Sequence, residues 1–140
     1  MKNCIAGFFT GKRLVGAGLR RFTHPALEVV VRGPRLERAC TAMIDTGADL
    51  CRVDEALADA LDMPRAGSVP SLLVTVPMDI ETRRGAIVVP GENFALHGEF
   101  PVQPFRAADC PYDVLLGMDF IRHFELTVDA AKGRVTLAPR

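Results

Sequence analysis

Short apolar runs separated by turn-forming residues dominate this sequence and limit the folds open to it. Residues 27–31 form a β-branched run, Gly33-Pro34 follows as a turn, and residues 38–44 resume an apolar stretch. Runs of this length bounded by glycine and proline are typical of β-strands. We therefore predict a hairpin here that ends at Asp45, where a strand gives way to a loop.

The rest of the sequence continues this pattern with two helical interruptions. An amphipathic helix is predicted over residues 54–63 and is stopped by Pro64, and a second short helix is predicted at residues 120–124. Further strands are predicted at residues 72–76, 86–89, 94–102, 114–116, 126–128 and 134–138. The pattern therefore predicts an all-β domain with one or two short helices.

Length, charge and cysteine spacing narrow the functional classes. A chain of 140 residues suits one domain, and its 17 basic and 17 acidic residues leave no basic excess for phosphate backbones. Nucleic acid is therefore not an expected partner. The four cysteines are scattered, with no C-x-x-C pair and no close histidine. This spacing predicts reduced thiols, no metal site and no cofactor.

The N-terminal residues differ in composition from the remainder. Residues 1–22 are rich in glycine, lysine and arginine, which predicts a loose hairpin or mobile arm ahead of a domain at residues 23–140. The apolar run at residues 4–9 is broken by Gly7 and is too short for a signal-peptide core or a membrane span. We therefore expect a cytoplasmic protein with no membrane partner.

Two segments carry the functional signal. Residues 42–50 read Ala-Met-Ile-Asp-Thr-Gly-Ala-Asp-Leu, and residues 112–121 read Tyr-Asp-Val-Leu-Leu-Gly-Met-Asp-Phe-Ile. In the first, an apolar strand delivers Asp45 into a turn opened by Gly47. Together the segments resemble the active-site loop and the downstream hallmark of the retropepsin-like aspartic proteases. The resemblance extends over roughly residues 26–138, judged from the order of strands and motifs.

The resemblance implies a fold, a reaction and a partner. The fold would be a closed, antiparallel β-barrel-like acid protease subunit that works as a homodimer. Peptide hydrolysis in this family uses two carboxylates that share one proton, one acting as a base toward water and the other protonating the carbonyl oxygen. Because this sequence has one Asp-Thr-Gly motif, two copies would be required. The substrate would be a protein or peptide.

The resemblance also assigns roles to individual residues of the loop. Asp45 would perform the acid–base chemistry, while Thr46 would donate hydrogen bonds across the two-fold axis. Gly47 permits the turn and a close approach of substrate, and Ala48 completes the loop. Asp49 matches a position that receives substrate backbone N–H groups.

The second segment is expected to support the loop. Leu115 and Leu116 match the apolar pair that precedes the hallmark glycine. Gly117 would allow this strand to pass tightly beside the loop without a Cβ clash. Met118 occupies a position where relatives commonly carry an arginine that supports the residue corresponding to Asp49. The flap, a hairpin that closes over substrate, is expected near residues 76–80, although glycine is absent until Gly85.

Three interpretations remain open on the sequence alone. The first is an aspartic endopeptidase with a dyad formed across a homodimer. The second is a non-catalytic protein of the same fold that binds an extended peptide as an added strand. The third is a structural dimerisation module in which Asp45 merely caps its own turn.

Overall fold

The computed structural model describes residues 4–15, 20–73 and 76–140, and within them the chain is built mostly of strands with two short helices. The strands are β1 (Ile5–Val15), β2 (Arg20–Arg32), β3 (Glu37–Ile44), β4 (Arg52–Asp54), β5 (Arg65–Leu73), β6 (Val76–Val88), β7 (Ala95–Gln103), β8 (Val114–Leu116), β9 (Phe124–Asp129) and β10 (Arg134–Pro139). The helices are α1 (Glu55–Ala60) and α2 (Met118–Ile121). The prediction of a β-rich chain with two short helices is confirmed.

The strands join into one sheet whose order differs strongly from the order in the chain. That order is β5-β6-β7-β4-β8-β3-β2-β1-β10-β9, with an additional pairing of β6 with β2. Most pairs are antiparallel, but β3 runs parallel to β8 and β4 runs parallel to β7. β8 therefore lies between β3 and β4, so that the loop at residues 45–51 has to pass over the end of β8.

The strands form because alternate side chains enter a common core. In β3 the buried positions are Cys40, Ala42 and Ile44, and in β2 they include Val29 and Val31. This period of two is what a strand with one buried face requires. Each large aliphatic or aromatic side chain removed from water contributes about 1.5–3 kcal/mol.

Helix α2 is held by an aromatic cluster. Phe120 is fully buried, its ring meets that of Phe94 edge-on at 5.4 Å, and Phe124 lies 5.1 Å from Phe120. Edge-to-face contacts of this kind add to the energy of burial. The cluster fixes the position of α2, which matters because the turn before this helix lies against the Asp45 loop.

Helix α1 is shorter than the sequence predicted. The side chain of Asp54 caps it by accepting a hydrogen bond from Leu57 N at 3.1 Å, and the helix ends at Ala60 rather than at residue 63. The following residue, Leu61, is the C-cap, and Asp62 has a φ of 50°. The left-handed backbone at Asp62 ends the helix before Pro64 is reached.

Two strand predictions were wrong in detail. The predicted strand at residues 72–76 is divided between the antiparallel strands β5 and β6, in which Leu73 lies opposite Val76, and residues 74–75 lie outside the described residues. The uninterrupted apolar and β-branched pattern gave no sign of this division. The predicted strand at residues 86–89 is the end of the longer β6. No strand was predicted at the position of β4.

The N-terminal residues belong to the same sheet. β1 pairs with β10, with Ile5 opposite Leu137, and also pairs with β2. β2 runs across the predicted domain boundary at residue 22. The boundary itself stays a prediction, as does the mobility of the N-terminal arm. Residues 1–3 and 16–19 lie outside the described residues. No helix in the described part of the chain is long and apolar enough to cross a membrane.

Candidate active site

The carboxylate of Asp45 is oriented by its own loop. Asp45 follows β3 directly, and its backbone N–H donates to the Leu116 carbonyl at 2.9 Å, which ties the start of the loop to β8. Its Oδ1 accepts a hydrogen bond from Gly47 N at 2.9 Å, and its carbonyl accepts from Ala48 N at 3.2 Å. The side chain is thus fixed at a tight turn while Asp45 stays partly exposed.

The end of the second segment clamps the other side of this loop. Met118 N donates to the Ala48 carbonyl at 2.8 Å, and Asp119 N donates to the Asp49 carbonyl at 3.0 Å. Carbonyl groups of a loop need hydrogen-bond donors from the protein when they are shielded from water. Here the first residues of α2 supply them, so the two segments singled out in the sequence lie in direct contact.

The close contact depends on the absence of a side chain at Gly117. A Cβ atom there would lie 2.6 Å from the Leu50 carbonyl carbon, 2.7 Å from the Leu50 oxygen and 2.9 Å from the Ala48 oxygen. All three are backbone atoms, so no rotamer change can relieve the overlap. The φ of Gly117 is −91°, which any residue can adopt. Glycine is therefore needed for close packing and not for backbone conformation.

Asp119 is a supporting residue that the sequence analysis did not identify. Its Oδ1 accepts hydrogen bonds from Cys51 N at 3.0 Å, from the Cys51 thiol at 3.0 Å and from Phe120 N at 2.9 Å. Burial, together with the hydrogen bond to Asp119, raises the pKa of the Cys51 thiol well above its usual range. The thiol therefore stays protonated and acts as a donor. The only sequence signal was an acidic residue in the first turn of a short helix.

A cleft lies between the loop and the hairpin of β5 and β6. Its volume is about 440 Å³, and its wall is formed by residues 47–50 and Arg52 on one side, residues 69–71 and Pro77 on the other, and Pro101. Asp45 and Thr46 immediately precede the lining segment and are not part of the wall. The predicted flap segment at residues 76–80 belongs to this hairpin, which forms one wall of the cleft.

The base of the hairpin is anchored to α1. Arg83 of β6 is almost fully buried, and its guanidinium donates to Asp59 Oδ1 at 2.7 Å and to the Met63 carbonyl at 3.0 Å. Arg83 also approaches Glu81 to 3.2 Å, an ion pair that lacks hydrogen-bond geometry. Gly85 lies beyond this anchor, toward β7, so it does not form the tip of the flap.

Arg52 links the floor of the cleft to the hairpin. Its Nη2 donates to the hydroxyl of Ser71 at 2.8 Å, while its Nη1 is buried and has no hydrogen-bond partner among the described residues. Sequence reasoning assigned nothing to Arg52, because its position in the cleft follows from the pairing of β4 with β7 and β8.

The remaining predicted residues differ in exposure. Leu115 and Leu116 are buried, whereas the side chains of Thr46 and Asp49 are exposed and Met118 is 39% exposed. Within the described residues, no three His, Cys, Asp or Glu side chains are grouped closely enough to hold a metal ion. A larger cavity of about 550 Å³, bounded by residues 32–34, Pro64, residues 84–86 and residues 97–99, contains none of the predicted site residues.

Comparison with known proteins identifies the fold. No family model and no curated protein matches the chain. Among solved structures, a retropepsin-like aspartic protease from Rickettsia conorii superposes with a TM-score of 0.54 at 14% identity, covering 98% of this chain and 94% of that one. A foamy viral protease-reverse transcriptase in complex with an RNA/DNA hybrid gives a TM-score of 0.49 at 19% identity, and the match spans 76% of this chain but 14% of the viral one. The superposition on the Rickettsia conorii structure shows that the chain has the fold of the retropepsin-like aspartic proteases.

Proposed function

We propose that this chain is one subunit of an aspartic endopeptidase, in which Asp45 from each of two copies contributes to a catalytic dyad. The observation that carries the proposal is the position of the Asp45 loop. The loop is held by backbone hydrogen bonds from α2 across Gly117, and it borders a cleft whose other wall is the hairpin of β5 and β6. A carboxylate that merely capped a turn would not need such a cleft beside it.

The proposed reaction needs one proton shared between two carboxylates. Two such groups a few ångströms apart cannot both ionise at low energetic cost, so one stays protonated in the working range. The ionised Asp45 removes a proton from water as the water attacks the peptide carbonyl carbon, and the protonated partner donates to the carbonyl oxygen. The tetrahedral intermediate then collapses as a proton is transferred to the leaving amine.

The other loop residues have supporting roles in this proposal. The hydrogen bond from Gly47 N holds the Asp45 carboxylate in one orientation, which limits the motion that would misplace a proton donor. The exposed Thr46 hydroxyl would bond across the two-fold axis, and Asp49 would accept substrate backbone N–H groups. The closed, barrel-like homodimer and the cytoplasmic location predicted from the sequence belong to the same proposal.

The hairpin of β5 and β6 would act as the flap. Its base is fixed by Arg83, while Met78, which lies nearer the turn between β5 and β6, is 49% exposed. A lid that is anchored at one end and free at the other can admit a peptide and then exclude water from the reacting bond.

The deciding experiment compares the wild-type chain with Asp45→Asn on a mixed library of quenched fluorescent peptides. Asparagine keeps the oxygen that accepts from Gly47 N but cannot exchange a proton, so cleavage should fall by about 100-fold to 10,000-fold. Asp62→Asn makes the same change at an exposed residue outside the cleft and should leave the rate unchanged. Sedimentation should show a dimer for all three proteins.

Two results would count against the proposal. Undiminished cleavage by purified Asp45→Asn would remove Asp45 from the mechanism. A folded wild-type dimer that cleaves no peptide in the library would favour the non-catalytic peptide-binding or dimerisation interpretation.

A further inference from the structure

Arg52 is placed where a bound peptide would pass. It is the first residue of β4, immediately after the Asp45 loop, and its side chain forms part of the cleft wall. Ser71, in the hairpin on the opposite side, accepts a hydrogen bond from Nη2 at 2.8 Å. The guanidinium is therefore held against the hairpin wall of the cleft.

The guanidinium of Arg52 lacks the ionic partners that the buried Arg83 has. Arg83 pairs with Asp59 and approaches Glu81. By contrast, no carboxylate of the described residues lies within 4 Å of Arg52, and its Nη1 is buried without any acceptor among them. A guanidinium has five N–H donors, and a buried donor without an acceptor is unfavourable.

The charge of the cleft indicates which group would satisfy Arg52. Among the described residues of the wall, Asp49 is the only charged residue besides Arg52, and the others are apolar, glycine or serine. A carboxylate matches the planar fork of a guanidinium and can accept two hydrogen bonds from it. An apolar side chain would leave the positive charge of Arg52 without a counter-ion, and a basic one would add repulsion.

We propose that Arg52 is a specificity-determining residue that selects peptides carrying an aspartate or glutamate side chain at one position in the cleft. This inference rests on the proposed function, because it names the substrate class of the same site. Ser71 acts as a positioning residue that holds the guanidinium toward the cleft. A charge-assisted pair of this kind corresponds to a preference of about 10-fold to 100-fold for the acidic peptide.

The test uses a positional peptide library in which each position carries Glu, Gln or Lys in turn. For the full-length wild-type chain, kcat/KM should be about 10-fold to 100-fold higher for Glu than for Gln at one position. Arg52→Gln should bring that ratio close to one, and Arg52→Glu should favour Lys instead. Arg35→Gln, the same charge change at an exposed residue in the turn between β2 and β3, should leave the ratio as in wild type.

A binding measurement separates this inference from the proposed function. The best Glu peptide and its Gln counterpart are made with a reduced, uncleavable peptide bond and titrated by fluorescence anisotropy. Tighter binding of the Glu peptide that disappears in Arg52→Gln supports the role of Arg52 even when no peptide is cleaved. Cleavage with equal Glu and Gln rates at every position overturns the inference while the protease proposal stands. Equal binding of both peptides by wild type also overturns it.

Discussion

Replacement of Gly117 by alanine tests whether the contact between the second segment and the Asp45 loop holds the site together. The added Cβ would meet three backbone atoms of Ala48 and Leu50 at 2.6–2.9 Å. Real Cβ atoms do not approach backbone this closely, so either the loop or the start of α2 has to move. Movement would break the bonds from Met118 N to the Ala48 carbonyl and from Asp119 N to the Asp49 carbonyl.

The magnitude follows from these contacts. Overpacking in a tightly packed region costs about 1–3 kcal/mol, and each of the two hydrogen bonds contributes about 1 kcal/mol. We therefore expect Gly117→Ala to lower the free energy of unfolding by about 3–5 kcal/mol. For a chain of this size that loss corresponds to a fall in Tm of about 10–20 °C.

Gly98→Ala is the matched control. The Cβ added at Gly98 in β7 would lie 3.6 Å and 3.7 Å from the Phe100 ring, which is ordinary van der Waals contact. Alanine also reduces the entropy of the unfolded chain, so this variant should be neutral or more stable by up to about 1 kcal/mol. Thermal unfolding at one fixed protein concentration compares the two variants. Equal Tm values for Gly117→Ala and Gly98→Ala would refute the packing role of Gly117.

Two further predictions concern buried polar groups. Asp54→Ala should lower the free energy of unfolding, measured in urea, by about 2–4 kcal/mol. The substitution removes the cap of α1 and also the carboxylate oxygen that accepts from Arg106 N at 3.0 Å. A loss below about 1 kcal/mol would contradict this prediction. Burial raises the pKa of the Cys40 thiol from 9.0 to about 12, so the folded state keeps a proton that the unfolded chain loses. Stability from this thiol should be constant below pH 9 and fall by about 1.4 kcal/mol per pH unit between pH 9 and 12. Cys40→Ala should make the measured decline shallower while the part due to buried Cys51 remains, and Cys4→Ala, at an exposed site, should leave the slope unchanged; equal slopes for both would count against the assignment.

The parts of the fold that sequence could predict are those with local signals. β3, β7, β8 and β10 were predicted to within one residue, because each apolar run is bounded by turn residues or by a change of pattern. β4 could not be predicted from Arg52–Asp54 alone. Three residues carry no periodicity, and this strand exists because β7 and β8 pair with it on either side.

The same distinction applies to the site. The Asp-Thr-Gly and Leu-Leu-Gly segments are short contiguous sequence motifs, so their residues could be identified from the sequence alone. The bond between Cys51 and Asp119 and the position of Arg52 beside Ser71 could not, because each joins residues far apart in the chain. Long-range hydrogen bonds leave no pattern in a sequence window.

The insertion of β8 between β3 and β4 also has a consequence for the order of events during synthesis. The chain releases Asp45 from the ribosome about 70 residues before the strand and helix that seat its loop. At about 5–20 residues per second, that interval is roughly 4–14 seconds. During this interval the loop lacks three of its hydrogen-bond partners, which are the Leu116 carbonyl, the Met118 amide and the Asp119 amide. A nascent chain, or one truncated before residue 114, therefore carries the aspartate without the framework that orients it.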